Sequence, residues 1–223
     1  MPEKPRVKAP KQRAGSSGDG GKPPLLAVAV ATAGLVAGVV AVLAIVSLTG
    51  GSEDHAAQEE SARTALEAAG CTLQVAEALE GKHSIADPEN VSDEWNTDPP
   101  TSGPHYSIAA IFGIYDEPLQ LARVVHNLEH GGVFVAYGPD VPEATVDELR
   151  AFYNANETGT IMSPYEKLAD EFAFAAWVAH GEGGNGYLAK CTEFDQAAAS
   201  AFLSAFQFRG PERFDPSQLQ PGL

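Results

Sequence analysis

Positive charge is scarce in this 223-residue chain beyond residue 24. Six of its 14 Lys/Arg and two of its 30 Asp/Glu fall in residues 1–24, which leaves eight against 28 in the remainder, a net charge of −20. A surface of that sign has nothing to neutralise phosphates, which excludes nucleic acid as a partner, and it is repelled by anionic lipid. It keeps an exported domain soluble and attracts cations. Signatures of nucleophilic catalysis are also missing. There is no G-x-S-x-G, no phosphate loop and no dinucleotide fingerprint in a strand–helix setting. No serine or cysteine is marked as a nucleophile, so no catalytic residue is assigned. Internal repeats are absent.

Charge of either sign is missing from residues 25–49, LLAVAVATAGLVAGVVAVLAIVSLT. As a helix this run is roughly 37 Å long, enough to cross a hydrocarbon core of about 30 Å with some tilt. It exceeds the roughly 7–15 apolar residues of a cleaved signal peptide, so the expectation is a retained transmembrane helix, a signal anchor in the lipid bilayer. Lys4, Arg6, Lys8, Lys11, Arg13 and Lys22 precede it in a Pro/Gly/Ser-rich stretch that reads as a disordered basic tail. Basic flanks stay in the cytoplasm. The N-terminus is therefore expected inside, and the rest of the chain outside the cell membrane. Gly34 and Gly38 form a G-x-x-x-G pair, which opens a route to a homodimer.

Cysteine is limited to Cys71 and Cys191. An oxidising compartment permits a disulfide between them, with two buried free thiols as the alternative. Closing a loop of about 120 residues contributes roughly 4–5 kcal/mol in the chain-entropy account. Such a bridge would tie the start of the outer domain to its end and make it one unit. The expected organisation is a tail (1–24), a transmembrane helix (25–49), a juxtamembrane helical stalk (50–70), an extracytoplasmic domain (71–214) and a C-terminal tail (215–223).

Within that domain, CTLQVAEAL (71–79) reads as a first strand and LQLARVVHNLEH (119–130) as a short helix. VFVAYGP follows as a buried strand, PEATVDELRAFYNAN (142–156) as a helix, and GTIMSP as a short strand. FAFAAWVAHG (172–181) is a strand, GGNGYLAKC a glycine turn with another short strand, and FDQAAASAFLSAF (194–206) the last helix. Strands and helices interleave without a regular βαβ period, which predicts a single compact α+β domain.

What is present in quantity is histidine in one region. His105, His126 and His130 fall within 26 residues, and His83 precedes them in a loop-rich stretch. His126 and His130, four apart, share one helix face, where both imidazoles can reach one ion. Glu129 lies beside them, and H-N-L-E-H matches the H-x-x-E-H of inverted zinc peptidases. Gly131 and Gly132 end the helix at the motif, where a peptidase helix continues. Pro99, Pro100 and Pro104, with Thr101, Ser102 and Gly103 between them, stiffen the approach to His105. Met162 adds a soft donor in TIMSP, and a His/Met set outside the cell suits copper, whereas His with Glu or water suits zinc or copper. His55 and His180 read as surface residues.

PPTSGPHY (99–106), GIY (113–115), VHNLEHGGVFVAYGP (125–139) and RGPE (209–212) together resemble the bacterial "domain of unknown function 3105" family over residues 70–213. The resemblance implies a short cytoplasmic tail, one membrane span and an exported domain, and it supplies no reaction. Members often show G-x-x-H-V in the first loop; here GKHS puts His83 at that place without the valine.

The expected ligands are His105, His126 and His130, with His83, Met162 or Glu129 as a fourth, around copper or zinc. One alternative is a metal-free interaction module for a membrane-protein partner, in which Glu129 accepts from the PPTSGP amides. The other is a hydrolase using Glu129 and a bound metal.

Overall fold

The computed structural model describes residues 54–181 and 183–223. The basic tail, the apolar span 25–49 and residues 50–53 lie outside the described residues. Among those described, no helix is long and apolar enough to cross a membrane.

Among the described residues four α-helices accompany a five-stranded mixed sheet, the α+β class expected. Helix α1 covers residues 54–68. Then come β1 (Thr72–Glu77), α2 (Leu121–Glu129), β2 (Val133–Tyr137), α3 (Glu143–Ala155), β3 (Thr160–Pro164), β4 (Phe172–His180), β5 (Gly183–Cys191) and α4 (Gln196–Phe206). The strand order is β1-β5-β4-β2-β3. Only β2 and β3 pair in parallel, and α3 makes the crossover that a parallel pair requires.

Strand periodicity divides the interior into two cores. Val133, Val135, Met162, Phe172, Phe174, Ala176 and Val178 face one side, where they meet α1, α3 and α4. Phe134, Ala136, Ile161, Ala173, Ala175 and Trp177 face the other, where they meet Val124, Val125 and Leu128 of α2. The central strands are buried on both faces, which is why VFVAY and FAFAAWV are almost continuously apolar.

Three boundaries differ from the sequence reading. Helix α1 does not stand clear as a stalk: Ala62 and Leu66, one turn apart, are fully buried in the first core. Glu59 on the same helix pairs with Arg209 Nη2 at 2.9 Å and accepts from Tyr187 Oη at 2.9 Å. The C-terminal residues are docked as well. Leu219 is buried in the second core, and its carbonyl accepts from Gly159 N at 2.7 Å. The glycines of GGNGYLAKC form no turn but lie within β5, paired with β4 from His180↔Gly183 to Phe172↔Cys191. Gly186 is there because a Cβ would overlap the Thr101 hydroxyl, so the PPTSGP loop rests directly on the strand.

Cys71 and Cys191 are disulfide-bonded, with Cα atoms 4.3 Å apart, where β1 begins and β5 ends. The bridge closes edge strand β1 onto its one neighbour.

Two outcomes follow from these contacts. Gly186→Ala is expected to lower stability by about 1–3 kcal/mol in denaturant melts. Gly183→Ala, whose added methyl meets no atom nearer than 4.0 Å, is expected to stay near wild type. Burial raises the Tyr187 phenol to about 12, and its bond to Glu59 acts in the same direction. A raised folded value means the contribution is present below pH ~10 and is lost as pH rises toward ~12. Tyr187→Phe should flatten that alkaline slope.

Candidate metal centre

The site is assembled on the α2 side of the sheet from three separate stretches. The first is residues 81–85. His105 N donates to Lys82 O at 2.8 Å and Ile85 N donates to His105 O at 3.2 Å. This lays the first loop alongside the PPTSGPHY segment and brings His83 to His105, ring centroids 4.8 Å apart.

The second stretch is the proline segment itself. Ser102 Oγ accepts from Leu79 N at 3.0 Å, and Trp95 Nε1 donates to Pro104 O at 2.9 Å. Thr101 and Thr97 exchange a hydroxyl bond of 3.0 Å in the interior. The loop is thus bonded at both ends, and His105 is fully buried against Trp177.

Helix α2 is the third. Tyr106 N donates to Ala122 O at 3.0 Å, fastening the proline segment to the helix. His126 and Glu129 point to the same spot, and both are buried. Gly131 adopts φ +90°, and a Cβ on it would press on the main chain of Phe208 and Gly210. The two glycines after His130 therefore do more than stop the helix. They let residues 208–212 pass close by, with Phe208 N bonded to Gly131 O at 2.7 Å and Glu212 N to Glu129 O at 3.0 Å.

His83, His105, His126 and Glu129 each offer one ligand atom, and all four atoms lie within 4.8 Å of one another. Hydrogen bonds determine which atoms those are. A carbonyl only accepts, so the 2.8 Å contact of His105 Nδ1 with Gly103 O and the 2.9 Å contact of His126 Nδ1 with Tyr106 O place a proton on each Nδ1. In the neutral rings both Nε2 atoms then carry lone pairs directed into the cluster. Backbone bonds of this kind orient metal-ligating histidines.

The Glu129 carboxylate faces the same point, Oε2 3.0 Å from His105 Nε2 and 3.7 Å from His83 Nε2. His105 Nε2 and Glu129 Oε2 are sealed from solvent and have no hydrogen-bond partner, because their approach lacks the required alignment. Buried polar atoms left without an aligned partner are costly, and a cation among them, whether a metal ion or the proton of an imidazolium, offsets that cost.

Burial favours the neutral form of two of these imidazoles. Burial pushes His126 below the ordinary imidazole value, against the pull of its Tyr106 bond. Burial also brings His130 down to about 4, helped by neighbouring His126. Burial alone would raise Glu129, but His105, with His126 and His83, outweighs it and holds the carboxyl below its usual range.

Of the residues singled out from sequence, His105, His126, Glu129 and His83 come together. His130 lies at the edge of the cluster, its Nε2 3.0 Å from His126 Nε2 and 3.4 Å from Glu212 Oε2. Met162 does not join them. It alternates with Ile161 along β3 and is buried in the core on the opposite face of the sheet. Glu129 meets imidazoles rather than the PPTSGP amides. His180 lies beside Glu59 and Tyr187, remote from this cluster in the fold. Two contributors escaped sequence reading. Glu212, in RGPE, is 82 positions beyond His130. Asn127 lies between ligand positions, fully buried, accepting from Ala110 N at 3.0 Å and donating to Ala110 O at 2.8 Å. Its one sequence signal was a polar residue between His126 and Leu128 on a core-facing helix.

A family model described as "Protein of unknown function (DUF3105)" matches residues 88–218, more than half of the chain. The matched span contains His105, His126, Glu129, His130 and Glu212, and His83 precedes it. No curated protein and no solved structure matches the chain.

Asn127→Ala is expected to lower stability by about 2 kcal/mol or more, because it leaves both backbone groups of Ala110 unpaired. Thermal melts of the metal-stripped protein would measure the loss without a contribution from metal.

Proposed function

We propose, from the premise that this chain belongs to the DUF3105 family of proteins of unknown function, that its folded domain binds a divalent transition-metal ion. The observation that carries this reading is the pair of Nδ1 bonds to Gly103 and Tyr106. They turn the Nε2 of His105 onto the unpartnered Glu129 Oε2, 3.0 Å away, and the Nε2 of His126 into the same cluster, where it meets His130 Nε2. His105, His126 and Glu129 are the buried ligands, and His83, half-exposed on the first loop, completes a set of three nitrogens and one oxygen.

That donor set suits zinc and divalent copper, which accept imidazole and carboxylate together. It disfavours monovalent copper, since the cysteines are bridged and Met162 faces the opposite core. The apolar run 25–49 and the basic residues before it support a membrane anchor with the domain outside the cell. There the acidic surface would gather cations for the site. The role is metal handling or sensing at the outer membrane face.

A hydrolase fits less well, because Glu129 is drawn into the ligand cluster and is not free to act as a base. A metal-free interaction module draws support from one feature. Ile108, Ile111, Phe214 and Leu223 are exposed around an apolar cleft of about 420 Å³.

Elemental analysis of the untagged, detergent-solubilised full chain tests the reading. Near-stoichiometric zinc or copper is expected in the wild type. His105→Ala and His126→Ala should each weaken affinity by about 100-fold or more while the domain remains folded. Folded wild-type protein that takes up neither metal would overturn the reading.

A further inference from the structure

A second group of potential ligands abuts the first. Glu129, His130 and Glu212 offer atoms within 4.8 Å of one another, and Glu129 belongs to both groups. Resting on the metal-binding reading above, we propose that the centre holds two ions, with the Glu129 carboxylate shared between them. The inner ion is held by His83, His105, His126 and Glu129. The outer one is held by Glu129, His130 and Glu212.

Three observations carry this. First, Glu212 is not a stray surface acid. Its backbone N–H is bonded to Glu129 O at 3.0 Å, so the main chain that supplies one ligand anchors the other. The absent side chains of Gly131 and Gly210 allow that approach. Second, His126 Nε2 and His130 Nε2 meet in a 3.0 Å hydrogen bond, which an ion on either side would replace. Consecutive turns of α2 thus deliver one imidazole to each ligand group, side by side. Third, Glu129 Oε2 is buried and unpartnered, and a carboxylate with two oxygens can serve two cations as a bridge. Bridged pairs of ions lie about 3.5–4 Å apart.

The two positions differ in kind. The inner set has four protein ligands, three of them buried. The outer set has three, and Glu212 is half-exposed. His130 also stacks on Phe214, centroids 4.0 Å apart, and both line the apolar cleft. The outer ion therefore keeps open coordination positions facing that cleft. It is the more weakly bound, and it takes water or an exogenous anionic ligand. Two divalent ions against two carboxylates leave the centre positive, which favours an anion at those positions.

Zinc titration of chelator-stripped full chain in detergent, followed by calorimetry, tests the proposal. Wild type is expected to bind two equivalents in two affinity classes. Glu212→Gln and His130→Gln should each lose the weaker equivalent and change the affinity of the tighter one less than about 10-fold. Cobalt substitution gives an independent readout: spin coupling at two equivalents in wild type, absent in Glu212→Gln. One equivalent in wild type, unaltered by Glu212→Gln, would overturn the shared centre and leave the single-ion reading intact. Two equivalents persisting in both variants would assign the second to surface acids and overturn it equally. No binding at all would remove both readings.

Discussion

Two carbonyl oxygens, of Gly103 and Tyr106, set the chemistry of the cluster. By accepting the Nδ1 protons of His105 and His126 they decide which face of each ring is left with a lone pair. Everything around them keeps those oxygens in place. The first loop bonds to His105, α2 bonds to Tyr106 N, Trp95 holds Pro104, and Thr101 sits on the bare backbone of Gly186. A four-residue length of main chain thus orients two imidazoles from different parts of the sequence.

This arrangement does not make the domain stable. A carboxylate drawn into a buried imidazole cluster carries a desolvation cost that an uncharged core would avoid. The two apolar cores offset it, separated by the sheet and filled by phenylalanines on one face and α2 on the other. Stability and site are therefore built largely by different residues, with α2 and Trp177 serving both. It offers Val124, Val125 and Leu128 to the sheet while His126 and Glu129 point into the cluster.

Most elements were legible from local pattern, because central strands buried on both faces read as continuous apolar runs and α3 and α4 carry clear helical spacing. The histidines of HNLEHGG were legible as a pair for the same reason. What was not legible depended on contacts between distant stretches. The loop 81–104 has no periodicity, yet it is held by bonds to Leu79, Pro104 and His105 that only the folded chain creates. Met162 was misjudged because chemistry was weighed without strand parity, and one residue's step along β3 exchanges one core for the other. The glycines of β5 looked like a turn because the contact that requires one of them, Thr101 against Gly186, comes from a segment over 80 positions earlier. Glu212 was marked only as part of RGPE and not as a ligand, since that role depends on the narrow passage that Gly131 opens.

The Cys71–Cys191 bridge also has a mechanical meaning. The chain enters the described fold through α1 and β1, and β1 is an edge strand joined by hydrogen bonds to β5 alone. Tension applied at the N-terminal end would peel such a strand one bond at a time. The bridge lies at the first residue before β1 and is covalently joined to the last residue of β5. A pull from the N-terminal side is borne there as shear across a long pairing, and the peeling path is closed. The load then passes into β5 and, through its pairing, into β4.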